Sequence, residues 1–154
     1  MLFLKDIMTT NVVSVRPDTS IIEVAKLLAQ HNFNGMPVVD DNNRLLGIIT
    51  EYDIISKETV VHLPTFQLLV QQLPVFNKDR AHFDKTTKDL MAITVKDLMN
   101  REPLALPDTA TLEEAVKAFS EHHRVNPIPV INAENTVVGV VSRYDIIKLW
   151  KVVS

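Results

Sequence analysis

The stretch GIITEYDII, Gly47 to Ile55, returns as GVVSRYDII, Gly139 to Ile147, a step of 92 residues from 47 to 139. The copies share a glycine, a β-branched pair, a hydroxyl residue and Tyr-Asp-Ile-Ile. The chain holds only 3 glycines, and two of them open these elements, so coincidence is a poor explanation. A fixed step of this kind marks an internal repeat. Each copy reads as a β-branched strand that turns into a helix at its hydroxyl residue.

The repeat extends on both sides. KDIM (Lys5 to Met8) returns as KDLM (Lys96 to Met99), and Pro17-Asp18-Thr19 returns as Pro107-Asp108-Thr109. The segment after each Pro-Asp-Thr reads as a helix, with Ile22, Ala25 and Leu28-Ala29 on one face. Asp and Thr are its expected start residues, and Glu23 or Glu114 falls in its first turn. Short strands are expected at Val12–Val15 and Leu104–Leu106, at Pro37–Val39 and Pro129–Ile131, and at Leu45–Ile49 and Val137–Val141. Asp41-Asn42-Asn43 and Ala133-Glu134-Asn135 read as turns. The order is β-α-β-β-α, twice, an α/β (α+β) chain.

One copy of about 55 residues buries too little surface to stand alone. Two copies packed sheet to sheet about a pseudo-two-fold axis make one unit. The boundaries are 1–60 for the first repeat, 61–92 for a partly helical linker and 93–154 for the second repeat. The linker carries Leu63, Phe66, Leu69, Val70 and Leu73 at helical spacing, then a charged stretch from Asn77 to Asp89.

Bulk properties narrow the function. The chain has 154 residues, 46% apolar and 23% charged, a globular composition. Its net charge of −3 supplies no basic field for nucleic acid. It has no cysteine, hence no disulfide or thiolate metal site. Apolar runs fall short of the ~20 residues of a membrane span. MLFLKDIM places charges too early for a secretory signal, so a cytoplasmic protein is expected. The histidines His31, His62, His82, His122 and His123 form no ligand-spaced pattern. Tyr52 and Tyr144 read as helix-packing residues, and Trp150 as an anchor for the last helix.

Thr50-Glu51-Tyr52-Asp53 and Ser142-Arg143-Tyr144-Asp145 admit two readings. An acid three residues after a Thr or Ser N-cap is a capping-box start. The same geometry suits a nucleotide. A helix N-terminus and a hydroxyl can receive phosphate, and a carboxylate can accept from two ribose hydroxyls. The preceding glycine admits a ligand or a strand close to the backbone.

The ordered set KDIM/KDLM, PDT/PDT, MPVVD/IPVIN and GIITEYDII/GVVSRYDII resembles a tandem pair of CBS (cystathionine-β-synthase) domains, a Bateman module. The resemblance implies a regulatory module, not an enzyme. Its ligand would contain adenosine: AMP, ADP, ATP, S-adenosylmethionine or a dinucleotide such as NAD. The ligand would be regulatory, with no cofactor required. The resemblance also implies a homodimer signalling to a separate effector protein, as in energy sensing.

Carried over residue by residue, one cleft would use Ser142 and Asp145 with Thr10, Val12, Val13, Asn34, Gly35 and Met36. The other would use Thr50 and Asp53 with Pro103, Leu104, Asn126, Pro127 and Ile128. The places before each Pro-Val strand, where strong phosphate binders of the family carry Arg or His, hold no cation here. This argues against tight triphosphate binding. Arg143, with Arg101 and Arg124, makes the Ser142 cleft the expected better site. A ligand-free structural or oligomerisation module is the alternative. No motif supports catalysis.

Overall fold

The computed structural model describes residues 1–56 and 92–151. The apolar stripe Leu63–Leu73 and the charged stretch Asn77–Asp89 lie outside the described residues. The first repeat contains α1 (Leu4–Ile7), α2 (Ile21–His31), β1 (Gly35–Val39), β2 (Leu45–Thr50) and α3 (Glu51–Ser56). The second contains α4 (Val95–Leu98), β3 (Leu106–Pro107), α5 (Leu112–Glu121), β4 (Ile128–Ile131), β5 (Val137–Val141) and α6 (Arg143–Trp150).

β1 and β2 pair antiparallel, as do β4 and β5, and each pair slips register at the same place in its repeat, Val38/Val39 and Val130/Ile131. β3 joins β4 in parallel. Its counterpart in the first repeat is a single parallel bridge, Val15 to Val38, so the strand expected at Val12–Val15 is one residue pair long.

The helix caps sit one or two residues later than expected. Pro17-Asp18 and Pro107-Asp108 are spent on turns, closed by Thr19 N–H to the Arg16 carbonyl and Ala110 N–H to the Pro107 carbonyl. Ser20 then caps α2, accepting from Glu23 N–H. Thr111 caps α5 in a full capping box with Glu114.

The two repeats exchange their leading segments. Leu4 of α1 is fully buried in the core of the second repeat, among Ala115, Phe119, Ile128 and Val141. Val95, Leu98 and Met99 are buried in the core of the first, among Ile21, Val24, Met36 and Ile49. Backbone bridges fasten the exchange: Phe3–Thr111 and Thr9–Val140 on one side, Ser20–Thr94 and Ile48–Asn100 on the other.

The glycines explain how the segments come so close. A Cβ on Gly47 would stand 2.4 Å from the Asn100 carbonyl oxygen, and one on Gly139 would stand 2.4 Å from Met8 Sδ. What approaches these glycines is therefore an exchanged segment of the chain itself.

The sheets meet through Val39, Leu45 and Val137. At the turn tips Asn43 and Asn135 both adopt the left-handed region, φ 61°. Each reaches into the other repeat: Asn43 Nδ2 donates to the Val137 carbonyl at 2.9 Å, and Asn135 Nδ2 to the Leu45 carbonyl at 3.2 Å. Asparagine tolerates this conformation better than most residues, and its amide satisfies a carbonyl at the seam.

Candidate functional site: two clefts between the repeats

The strand-to-helix junctions form two capping boxes. In the second, Ser142 N–H and Oγ donate to Asp145 Oδ2 at 2.8 and 2.7 Å, and Asp145 N–H donates back to Ser142 Oγ at 3.2 Å. In the first, Thr50 N–H and Oγ1 donate to Asp53 Oδ2 at 2.9 and 3.0 Å, and Asp53 N–H returns at 3.3 Å. Asp53 and Asp145 are buried, the cost of which these charge-assisted bonds offset. The capping reading of the sequence is thus realised at both junctions.

Each junction also lines a cleft. The Thr50 cleft, about 580 Å³, is walled by Thr50, Tyr52 and Asp53, and opposite them by Asn100, Arg101, Glu102, Leu104, Arg124 and Asn126. The Ser142 cleft, about 500 Å³, is walled by Ser142, Tyr144, Asp145 and Lys148, and opposite them by Thr9, Val12, Val13, Asn34 and Gly35. Both volumes lie in the range of small-ligand pockets, ~300–1,000 Å³. Asn126 borders both clefts, and its Nδ2 donates to Asn34 Oδ1 at 3.4 Å.

Thr50, Asp53, Leu104 and Asn126 meet in one cleft as expected, and Ser142, Asp145, Val12, Val13, Asn34 and Gly35 meet in the other. Other candidates fall elsewhere. Met36 and Ile128 are fully buried in the cores. Strand alternation explains Met36: Gly35 and Pro37 face the cleft, so the residue between them faces away. Pro127 lines the Ser142 cleft, not the Thr50 cleft. Thr10 and Pro103 are absent from both walls, while Thr9 and Asn11, either side of Thr10, line the Ser142 cleft.

The arginines reverse their expected assignment. Arg143 turns its guanidinium back onto its own repeat, donating to the carbonyls of Phe119, His122, His123 and Val125 and packing 4.9 Å from the Phe119 ring centroid. It braces the end of α5 and is absent from the cleft. Arg101 and Arg124 line the Thr50 cleft, so the Ser142 cleft is not the arginine-equipped one.

Several wall residues escaped the sequence reading. Lys148 Nζ lies 3.4 Å from Asp145 Oδ1, and Thr9 Oγ1 is 3.5 Å from the same oxygen. The i to i+3 spacing of Asp145 and Lys148 was the available signal. Tyr52 and Tyr144, read as packing residues, are 45% and 58% exposed and sit on the cleft walls. Trp150 is 80% exposed and anchors nothing within the described chain.

Comparison with known proteins accounts for this architecture. The CBS domain model matches the chain twice, at residues 4–59 and 95–151. The chain belongs to the CBS domain family, and it carries the domain as a tandem pair.

Among curated relatives, the chloroplastic CBS domain-containing proteins CBSX2 and CBSX1 of Arabidopsis thaliana are 27% and 26% identical over 139 residues, 87% of this chain. The chain spans 56% and 57% of their lengths. The solved structure of CBSX2 in complex with AMP is similar with a TM-score of 0.72 at 25% identity, covering 99% of this chain and 98% of that one. The CBS domain pair of protein MJ0100, in complex with 5′-methylthioadenosine and S-adenosyl-L-methionine, gives a TM-score of 0.66 at 26% identity, covering 96% and 98%. No helix among the described residues is long and apolar enough to cross a membrane.

Proposed function

We propose that this chain is a regulatory module that takes an adenosine-containing ligand between its repeats and reports it to a separate partner protein. One observation carries the reading: each cleft sets a buried aspartate and a hydroxyl from one repeat against wall residues from the other. Asp53 or Asp145 would accept from ribose hydroxyls, and Thr50 or Ser142 would face phosphate. The solved relatives that hold AMP, 5′-methylthioadenosine and S-adenosyl-L-methionine support the ligand class. A ligand touching both repeats favours the arrangement in which both sets of contacts form, and it shifts that arrangement only by its differential affinity.

Calorimetry and thermal shift with AMP, ADP, ATP, S-adenosylmethionine and NAD test the reading. At least one should bind, and Asp145→Ala should weaken binding in its cleft roughly 10- to 150-fold, the value of about 1.5–3 kcal/mol for hydrogen bonds to a charged group. A second reading has its own support, because both aspartates are already engaged in capping boxes. If no ligand of the panel binds at millimolar concentration, the clefts are structural and the module serves assembly.

The exposed faces of α3 and α6 support a two-fold homodimer. They present Tyr52, Ile55, Tyr144, Ile147 and Trp150, apolar surface that a second copy would cover. Light scattering giving a single-chain mass at tens of micromolar would rule this out.

A further inference from the structure

We propose that the two clefts discriminate ligands by phosphate number. The Thr50 cleft takes the polyphosphate form of the nucleoside ligand through Arg101 and Arg124. The Ser142 cleft takes forms with one phosphate or none. This rests on the nucleoside reading above and adds to it a division of labour between the sites.

Both arginines stand on the wall of the Thr50 cleft, and neither forms an ion pair among the described residues. Arg101 Nη2 donates to the Lys96 carbonyl at 3.0 Å. Arg124 Nη1 donates to the Tyr52 hydroxyl at 2.6 Å, with its guanidinium 5.0 Å from the ring centroid. These partners are neutral. They hold the two side chains at the cleft without an ion pair. The Asp97 carboxylate is near enough to Arg101 to be stabilised by it but does not pair with it, and other N–H donors of each fork remain unspent among the described residues. Two anchored guanidiniums on one wall can each pair with oxygens of a di- or triphosphate chain.

The Ser142 cleft lacks this feature. Among the described residues its wall carries no arginine: Lys148 is paired with Asp145 and lies 4.6 Å from the Tyr144 ring centroid, and His31 is stacked on Phe33 with ring centroids 5.0 Å apart. The Lys148 charge is spent on the carboxylate that would hold ribose. Two carboxylates also line the Thr50 cleft. Asp53 is engaged in its capping box; Glu102 is exposed as the two arginines are, so solvent screens its repulsion and their attraction alike, and the two cations outnumber it.

The test is titration of the full chain with adenosine, AMP, ADP and ATP, followed by amide NMR at Thr50–Asp53 and Ser142–Asp145. Affinity at the Thr50 amides should rise with each phosphate, and affinity at the Ser142 amides should stay level. In Arg101→Gln/Arg124→Gln the rise should vanish, with ATP binding at Thr50 weakened roughly 10-fold or more and adenosine binding unchanged. Both side chains are exposed, so the double variant should keep its fold, which its unperturbed core amides would verify.

If ATP perturbs the Ser142 amides first, or if the double variant keeps the parent's ATP affinity, this inference falls and the nucleoside reading survives. If none of the four compounds binds the parent chain, both fall together.

Discussion

Arg101 and Arg124 stand at the Thr50 cleft; at the matching places of the repeat, steps of 91 and 92 residues earlier, the chain carries Thr10 and Asn32. Lys148 stands at the Ser142 cleft, and its counterpart is Ser56. The hydroxyl, tyrosine and aspartate of each junction match. The matching residues are those the backbone needs: a cap for the helix, a paired carboxylate, a glycine beside the exchanged segment. Arg101, Arg124 and Lys148 line the clefts, where the fold sets few demands. The two repeats share a frame and differ in the long cationic side chains on their cleft walls.

The comparison breaks most sharply at the exchanged segments. Leu4→Ala and Leu98→Ala each empty a fully buried site, but in opposite repeats. Each should cost about 2–5 kcal/mol in denaturant unfolding. Hydrogen exchange should show Leu4→Ala loosening α5 and β4, and Leu98→Ala loosening α2 and β1. The opposite assignment would mean that each leading segment packs on its own repeat.

A subtler contrast separates the glycines. Gly47→Ala sets its new methyl against the Asn100 backbone, which cannot step aside alone, and should cost about 1–3 kcal/mol. Gly139→Ala meets mainly the Met8 side chain, which can rotate, so its melting point should fall less. Equal losses would show that the two junctions yield alike.

The smallest expected effect concerns pH. Bonds from Thr94 N–H (2.9 Å) and Oγ1 (3.1 Å) hold the Asp97 carboxyl below the ordinary carboxylate range. A carboxyl lowered in the folded state stabilises at pH values above its unfolded pKa and loses that contribution as pH falls through the folded value. Asp97→Asn should therefore lower stability at pH 7, by less than about 1 kcal/mol at this exposed site. The gap from the parent should close below about pH 4. At the matching place in α1, Asp6 accepts from Phe3 N–H with no hydroxyl partner, so Asp6→Asn should have the weaker effect.

The repeat, its strands and helices, and the hydroxyl-aspartate pairs were legible because they are local: a nine-residue element shows its own periodicity and cap. The exchange was not legible. Nothing in Lys5-Asp6-Ile7-Met8 tells which of two like cores receives it. Side-chain direction was equally hidden. Arg143 follows Ser142 in the chain yet folds back onto Phe119, while Arg124, far from Thr50 in sequence, reaches the Tyr52 hydroxyl. Neighbours in sequence share no direction on a helix, and only the packed structure decides which cleft a long side chain serves.

The exchange also sets an order on biosynthesis. As the chain leaves the ribosome, α2, β1, β2 and α3 emerge with their apolar faces made, but Val95, Leu98 and Met99 have yet to be translated. The first repeat therefore waits, its core open, until the second has begun. In the same interval α1, already synthesised, holds Leu4 for a core still to come. Neither core is complete without a segment of the other repeat, so a nascent chain stalled between the repeats would offer the cell an open apolar core to guard.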